Sequence, residues 1–296
     1  MIPYGKQDIS QQDIDSVIEV LKSDFLTQGP KVPYFEDTLN SVTGAKKALA
    51  FNSATSALHA ACLSLGLGRG DYLWTSPITF VASANAGLYC GSRVDFVDID
   101  PDTYNLCPDR LEEKLKRADK KGLLPKIVMP VHLSGQSCDM EAIKALSNKY
   151  GFKIIEDASH AIGGSYKSKF IGDCKYSDIT VFSFHPVKII TTAEGGAALT
   201  NDIGLYDKMN LYRSHGITRN KEMMTEESHG PWYYQQLELG YNYRMNELQA
   251  ALGISQISRL KEFVNRRHEL ARKYNESLVD LPLKLPTQLS DSFSSF

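Results

Sequence analysis

The chain has 296 residues, 42% of them hydrophobic and 23% charged, with a formal net charge of −2. That length allows one large domain or two ordinary ones with a sizeable core, and the near-neutral balance excludes a global field for nucleic acid or a membrane surface. Cys62, Cys90, Cys107, Cys138 and Cys174 form no C-x-x-C pair, which argues against a zinc site or a disulfide framework and fits a reducing cytosol; no stretch reaches transmembrane length, and Met1-Ile2-Pro3-Tyr4-Gly5-Lys6 carries no apolar secretory core.

Ser10-Gln11-Gln12-Asp13 reads as a capping box that opens a helix through about Leu21, with Ile14, Val17, Ile18 and Leu21 at helical spacing. Gly29-Pro30 breaks the chain, and a second helix runs from about Lys31 to Val42. Ala48–Phe51 is a short apolar strand. It enters the hydroxyl-rich turn Asn52-Ser53-Ala54-Thr55-Ser56, and the helical run Ala57–Cys62 follows. A strand, a small-residue turn and a helix start together make an anion site, because first-turn N–H groups are free and the helix dipole is positive there. Plain N-capping by Ser53 or Thr55 is the competing reading.

Gly66-Leu67-Gly68-Arg69-Gly70 follows a helix and reads as a connection, not a nucleotide loop. Strands are expected at Tyr72–Thr75, Arg93–Val97, Ile127–Val131 and Phe152–Ile155, with helices at Val81–Tyr89 and Ala142–Tyr150. This alternation predicts an α/β fold, a largely parallel sheet covered by helices on both faces. Ligands in such sheets bind beyond the carboxyl ends of the strands. The hydroxyl turn, Phe80, His132, Asp157 and His160 all fall there. Each has an ordinary structural reading as well: core for Phe80, a satisfied turn histidine for His132, a helix cap for Asp157.

In Phe182-Ser183-Phe184-His185-Pro186-Val187-Lys188-Ile189-Ile190 a lysine sits within an apolar run. Poor solvation there lowers its pKa and makes the neutral amine accessible, as Schiff-base chemistry with a carbonyl needs. Ser183 offers a hydroxyl to an anion, and Gly195-Gly196 lets the chain turn beyond the lysine. A strand at Ala197–Thr200 and a helix through Tyr212 follow. Residues 218–236 read as a mobile or partner-contacting loop. A long amphipathic helix begins near Glu247 and continues to about Leu278 with one possible break; Arg266-Arg267 reads as part of its solvated face. Pro282 and Pro286 then punctuate an extended segment that reads as the lead-in to a strand that does not follow.

A pyridine cofactor carrying an aldehyde and a phosphate needs an anion cradle, a lysine, an aromatic face, and a carboxylate that keeps the ring nitrogen protonated. Ala54, Thr55 and Ser183 can form the cradle, Lys188 is the lysine, Phe80 the face and Asp157 the carboxylate. No metal site is expected. The absence of G-x-G-x-x-G after the first strand disfavours a nicotinamide oxidoreductase.

The chain resembles the DegT/DnrJ/EryC1/StrS sugar aminotransferases. The resemblance is carried by Asn52-Ser53-Ala54-Thr55-Ser56-Ala57-Leu58, Pro77–Asn85, Phe96-Val97-Asp98-Ile99-Asp100, Glu156-Asp157-Ala158-Ser159-His160, the lysine stretch, Arg213-Ser214-His215-Gly216 and Gly240-Tyr241-Asn242-Tyr243-Arg244, in order along nearly the whole chain. It implies the type I, aspartate-aminotransferase-like fold and pyridoxal 5'-phosphate as cofactor. Residues 1–250 would form the large cofactor-binding domain and 251–296 the start of a truncated C-terminal small domain. Lys188 would be the Schiff-base and proton-shuttling lysine and Asp157 the partner of the pyridine nitrogen. Ala54, Thr55 and Ser183 would hold the phosphate, and Phe80 would stack on the ring. His160 would contact the ring oxygen where many members carry Gln. Asn242, with Arg244, would reach into a neighbouring subunit's site, which implies a homodimer in the cytoplasm.

The wording Ser-Phe-His-Pro-Val-Lys and Glu-Asp-Ala-Ser-His resembles most the branch that aminates C4 of a UDP-4-keto-6-deoxy-N-acetylhexosamine, with L-glutamate as donor, for pseudaminic acid. An aminotransferase for another nucleotide-linked keto sugar and a non-catalytic cofactor-binding homologue are the alternatives. A sugar 3-dehydratase of the same fold is disfavoured by Lys188, where those enzymes carry His. Thr27-Gln28-Gly29 and the 218–236 loop are expected to line the sugar site.

Overall fold

The structure is a computed structural model and describes residues 5–295; Met1–Tyr4 of the N-terminal stretch discussed above, and Phe296, lie outside the described residues. The elements run α1 (Gln11–Leu21), α2 (Lys31–Thr43), β1 (Lys47–Phe51), α3 (Ala54–Ser64), β2 (Tyr72–Thr75), α4 (Ala82–Tyr89), β3 (Arg93–Phe96), α5 (Pro108–Asp119), β4 (Ile127–Met129), α6 (Met140–Tyr150), β5 (Lys153–Asp157), β6 (Ser165–Tyr166), β7 (Lys169–Phe170), β8 (Ile179–Ser183), β9 (Gly196–Thr200), α7 (Ile203–Arg213), β10 (Ile217–Thr218), β11 (Gln235–Gln236), α8 (Glu247–Ser258), α9 (Leu260–Leu278) and β12 (Ser292–Phe293). The Ser10–Asp13 capping box forms as expected. No helix among the described residues is long and apolar enough to cross a membrane.

Seven strands make one sheet in the order β1-β9-β8-β5-β4-β2-β3. From β8 to β3 the pairing is parallel, but β9 is antiparallel to both β8 and β1. The sheet is therefore mixed at one edge, where a wholly apolar strand such as Gly196–Thr200 carries no signal of its direction. Side chains alternate across it with period two. Leu49, Phe51, Leu73, Ile127, Ile155, Val181 and Ala198 pack beneath α3. Ala48, Ala50, Phe182, Ala197 and Leu199 face the opposite way, towards Phe35 and Leu39 of α2 and Ala250 and Ile257 of α8. Trp74, Val128 and Ile154 on that same side meet Leu111 and Leu115 of α5 and Ile143 of α6.

Helix α5 has no counterpart in the sequence reading. Its surface is so polar that only Leu111, Leu115 and Ala118 are buried. That i, i+4, i+7 set, with Pro108 in the first turn, is the signal that was there to read. The long C-terminal helix is two helices, with the break at Arg259. The division expected at residue 250 falls inside α8, whose buried face packs on α1 and α2. The extended segment after Pro286 does arrive at a strand: Ser292 and Phe293 pair antiparallel with Tyr166 and Ser165. Gln136 holds this segment like a backbone, its Nε2 donating to Thr287 O at 2.9 Å and its Oε1 accepting from Leu289 N at 2.7 Å.

Candidate active site

The carboxyl ends of β1, β2, β5 and β8 open onto one cleft of about 440 Å³. Ala54, Thr55, Phe80, Asp157, His160, Ser183 and Lys188 all line it, together with Ser53, Thr79, Ser159, His185 and Glu194. Sequence reasoning thus brings its cofactor set to a single place, with one exception. Asn242 is exposed and outside the cleft; its carbonyl accepts from Asn52 Nδ2 at 3.3 Å and its backbone bridges to Ser214. Thr27, Gln28 and Gly29 do not line the cleft either.

The anion end is the start of α3. The helix begins at Ala54, three residues earlier than the apolar run suggests, because Ser53 caps it by accepting from Ser56 N at 3.1 Å. Capping and anion binding are therefore not alternatives here. Ser53 serves the third helical N–H, which leaves those of Ala54 and Thr55 for a ligand. Gly196 pairs with both Phe51 and Ser183 directly under this turn. A Cβ on Gly196 would fall 2.5 Å from Ala54 Cα and 2.7 Å from Ser53 C. The glycine serves close approach, not the tight turn expected of it; the left-handed residue of that turn is Ala193, at φ 64°.

Asp157 is buried at the end of β5. Ser83 donates to its Oδ2 at 2.6 Å, and Ser159 donates to its Oδ1 through both Oγ, at 2.6 Å, and backbone N, at 3.2 Å. Three donors converge on this buried carboxylate, satisfy its oxygens and fix its plane. The sequence reading missed Ser83 and Ser159; the signal was that a buried carboxylate requires such donors.

Lys188 is half-buried, and its amine has no hydrogen-bond or ion-pair partner among the described residues. Burial lowers its pKa, against the opposing charge of Asp157. His160 is pushed down to about 4, first by burial and then by the charges of Lys188 and Arg267. Its Nδ1 accepts from Ser134 N at 3.3 Å, which assigns the ring proton to Nε2. Phe80 is 72% exposed at the cleft, an aromatic face without a cover, so the core reading fails for it.

His132 does not join the cleft lining. It is fully buried, Nε2 donating to Glu156 at 2.7 Å and Nδ1 accepting from Cys138 N at 3.1 Å. Burial alone would raise the Glu156 carboxyl, but donors from His132, Ser177 and Thr180 hold it low. The ordinary structural reading of that histidine is the right one.

The donor set fits a phosphorylated pyridine aldehyde: a glycine-floored anion cradle at α3, an unpaired half-buried amine, and a braced carboxylate share one cleft with an uncovered aromatic ring. The fold and this site define a type I, pyridoxal-phosphate-type aminotransferase. The family model for the DegT/DnrJ/EryC1/StrS aminotransferase family matches residues 7–295, and the chain belongs to that family. It is 40% identical over 292 residues, 98% of this chain and 73% of the relative, to the UDP-4-amino-4,6-dideoxy-N-acetyl-beta-L-altrosamine transaminase of Campylobacter jejuni. Among solved structures it is similar to Helicobacter pylori PseC, an aminotransferase involved in the biosynthesis of pseudoaminic acid. The TM-score is 0.86 and the identity 34%, over 99% of this chain and 75% of that one. It is also similar to the PLP-form of Streptococcus pneumoniae Spr1654, with TM-score 0.85 and 28% identity over 99% of this chain and 76% of that one.

Proposed function

We propose that this aminotransferase uses pyridoxal 5'-phosphate to move an amino group from L-glutamate to C4 of a UDP-4-keto-6-deoxy-N-acetylhexosamine, in pseudaminic acid formation. The observation that carries the reading is the unpaired, half-buried amine of Lys188 in the same cleft as the braced carboxylate of Asp157. The substrate half rests on the Campylobacter and Helicobacter relatives.

When bound, the cofactor supplies an electrophilic aldehyde and a ring that accepts the electron pair left by a departing proton. Lys188 would hold the aldehyde end through its amine and would carry the proton to and from the substrate carbon. Asp157 would hold the pyridine-nitrogen end, where its carboxylate would keep that nitrogen protonated. Ala54 N, Thr55 and Ser183 hold the phosphate. Phe80 would cover the ring, and His160 would offer its Nε2–H to the ring oxygen. Over both halves of the reaction glutamate leaves as 2-oxoglutarate and the sugar ketone leaves as an amine.

Asn242, with Arg244, is assigned to the site of a second copy in a homodimer; its exposure outside its own cleft supports this. The chain is read as a large cofactor-binding domain followed by the start of a small domain; the continuity of α8 across residue 250 favours a join at the Arg259 break over one at 250. A cytoplasmic location fits the five free thiols and a nucleotide-sugar substrate.

The test is a panel of UDP-4-keto sugars with L-glutamate and pyridoxal phosphate, read by mass spectrometry for the amino sugar and for 2-oxoglutarate. Cofactor uptake without product from any 4-keto sugar would overturn the substrate reading. No uptake at Lys188 would overturn the class.

A further inference from the structure

The tandem arginines of α9 do not share one environment. Arg266 is exposed and paired with Glu269, as a solvated face predicts. Arg267 is half-buried, and its Nη2 donates to the backbone carbonyl of Lys188 at 3.2 Å. Three residues further along the lysine loop, the backbone N–H of Thr191 donates to Gln256 Oε1 at 3.4 Å. Gln256 is buried in α8, and its Nε2 is itself fixed, donating to Asp13 Oδ2 at 2.7 Å and Asp8 O at 2.9 Å. Arg267 and Gln256 line a hollow of about 330 Å³ that adjoins the cleft through Lys188.

The loop needs such holds. Residues 184–195 leave the sheet between β8 and β9, and within them Lys188 N is tied by a local turn to His185 O at 2.8 Å. The lysine carbonyl and the Thr191 N–H point away from any ladder and are taken by the two side chains instead. A lysine has four rotatable bonds, so where its amine rests depends on how firmly its own peptide is fixed. A guanidinium–carbonyl bond is charge-assisted and planar, which suits it to fixing a peptide. Burying the guanidinium is costly, and burial does lower the Arg267 pKa, so its position is not that of an incidental surface charge. The titratable and charged groups around Lys188 are Asp157, His160, His185 and Glu194 in the cleft and Lys6, Asp8, Arg266 and Arg267 in the adjoining hollow.

We propose that Arg267, assisted by Gln256, is a positioning residue for Lys188: it grips the lysine's own peptide so that the amine stays in the cleft. This rests on the reading of Lys188 as the working amine, and it adds a device carried by α8 and α9. Because α9 grips the lysine and α8 grips both the lysine loop and the start of α1, the break at Arg259 lies between the two holds.

The test uses the full cofactor-free chain and acetic anhydride as an amine probe. Labelling of Lys188 is followed against pH by mass spectrometry, with exposed Lys22 as the internal reference. In Arg267→Met the labelling midpoint of Lys188 should move up towards that of Lys22 by about one pH unit, a tenfold change in available amine. Arg267→Lys, which keeps a cationic donor, should restore at least half of the shift. A folded Arg267→Met protein that labels like the parent overturns the proposal. So does a shift that vanishes in high salt, because screening removes a through-space charge effect but not a lost grip. If Arg267→Met does not fold, Gln256→Met is read in the same way, and a parent-like midpoint there overturns the clamp. Labelling needs no turnover, so its outcome is independent of whether the sugar assignment holds.

Discussion

Ser83 donates to Asp157 Oδ2 at 2.6 Å across 74 residues of sequence, from the first turns of α4 to the end of β5. Ser83 is itself fully buried; its Oγ also lies 2.8 Å from Thr79 Oγ1 and 3.3 Å from Phe80 O, and the contact with Asp157 is the shortest of the three. Ser83→Ala therefore removes one of the donors that hold the carboxylate. A hydrogen bond to a charged group contributes about 1.5–3 kcal/mol. We expect kcat to fall by about tenfold or more, with the affinity for pyridoxal phosphate little changed, since the phosphate is held at the other end. Steady-state rates beside a cofactor titration check this. Unchanged kcat would mean that Ser159 alone orients Asp157.

Asp157→Asn tests the carboxylate directly. The amide keeps the shape but cannot hold a proton on the pyridine nitrogen. Cofactor should remain bound while kcat drops by far more than tenfold, about 1.4 kcal/mol of barrier. A smaller loss would make Asp157 a brace for the β5 turn and nothing more.

These two residues also show what was legible in the sequence. Asp157 could be read because it follows an apolar strand and precedes a small-residue turn, a purely local pattern. Lys188, Thr55 and Ser183 were legible for the same reason. Ser83 was not, because nothing near it in sequence says that a carboxylate lies opposite. Arg267 was misread because its neighbour Arg266 is a surface residue, and local composition averages the two. The reversed direction of β9 was invisible because hydrophobic alternation is the same in either direction. Asn242 is legible as part of a motif, yet its proposed partner belongs to another copy of the chain.

Lys188 gives a prediction about stability as well as chemistry. Its folded pKa lies below the usual value, chiefly through burial. The unfolded chain therefore binds more protons in the window between the folded and the unfolded pKa, and stability rises with pH across it. On the acid side of that window the fold carries the full cost of the half-buried ammonium. Lys188→Met should lose all turnover and yet match or exceed the parent's Tm at pH 7, with the difference shrinking as pH approaches the ordinary lysine value. Thermal melts at several pH values decide it; a large loss of Tm at pH 7 would show that the ammonium stabilises the fold.

His160 titrates in the opposite quarter of the pH scale. With a folded value of about 4 against the ordinary histidine value of 6.5, it is neutral at physiological pH. The unfolded chain takes up the proton first as pH falls, so this histidine costs stability progressively between about 6.5 and 4 and fully below that. His160→Gln, which keeps an N–H donor without the titration, should flatten the loss of Tm over that interval. It should also leave no new ionisation in the kcat profile above pH 6. Parallel Tm curves for the two proteins would mean that His160 protonates as freely in the fold as outside it.

Gly196 and Gly195 make a matched pair of tests at the anion cradle. A Cβ at Gly196 meets backbone, Ala54 Cα at 2.5 Å and Ser53 C at 2.7 Å. Neither can swing aside. Gly196 cannot retreat either, since it pairs with Phe51 on one side and Ser183 on the other. The strain must go into the start of α3, whose free N–H groups are the proposed phosphate donors. At Gly195 the nearest atoms belong to side chains, the Oγ1 of buried Thr192, which donates to Glu194 O at 2.7 Å, and the Cε of Met245, so a Cβ there costs a side-chain rearrangement and that hydrogen bond but no backbone shift at α3. Overpacking of this kind costs about 1–3 kcal/mol. Gly196→Ala should lose that stability and more than tenfold in affinity for pyridoxal phosphate, while Gly195→Ala should lose less of both. Urea midpoints and cofactor titrations on the two variants give the comparison. If Gly196→Ala bound the cofactor as tightly as the parent, the start of α3 would not be where the phosphate is held.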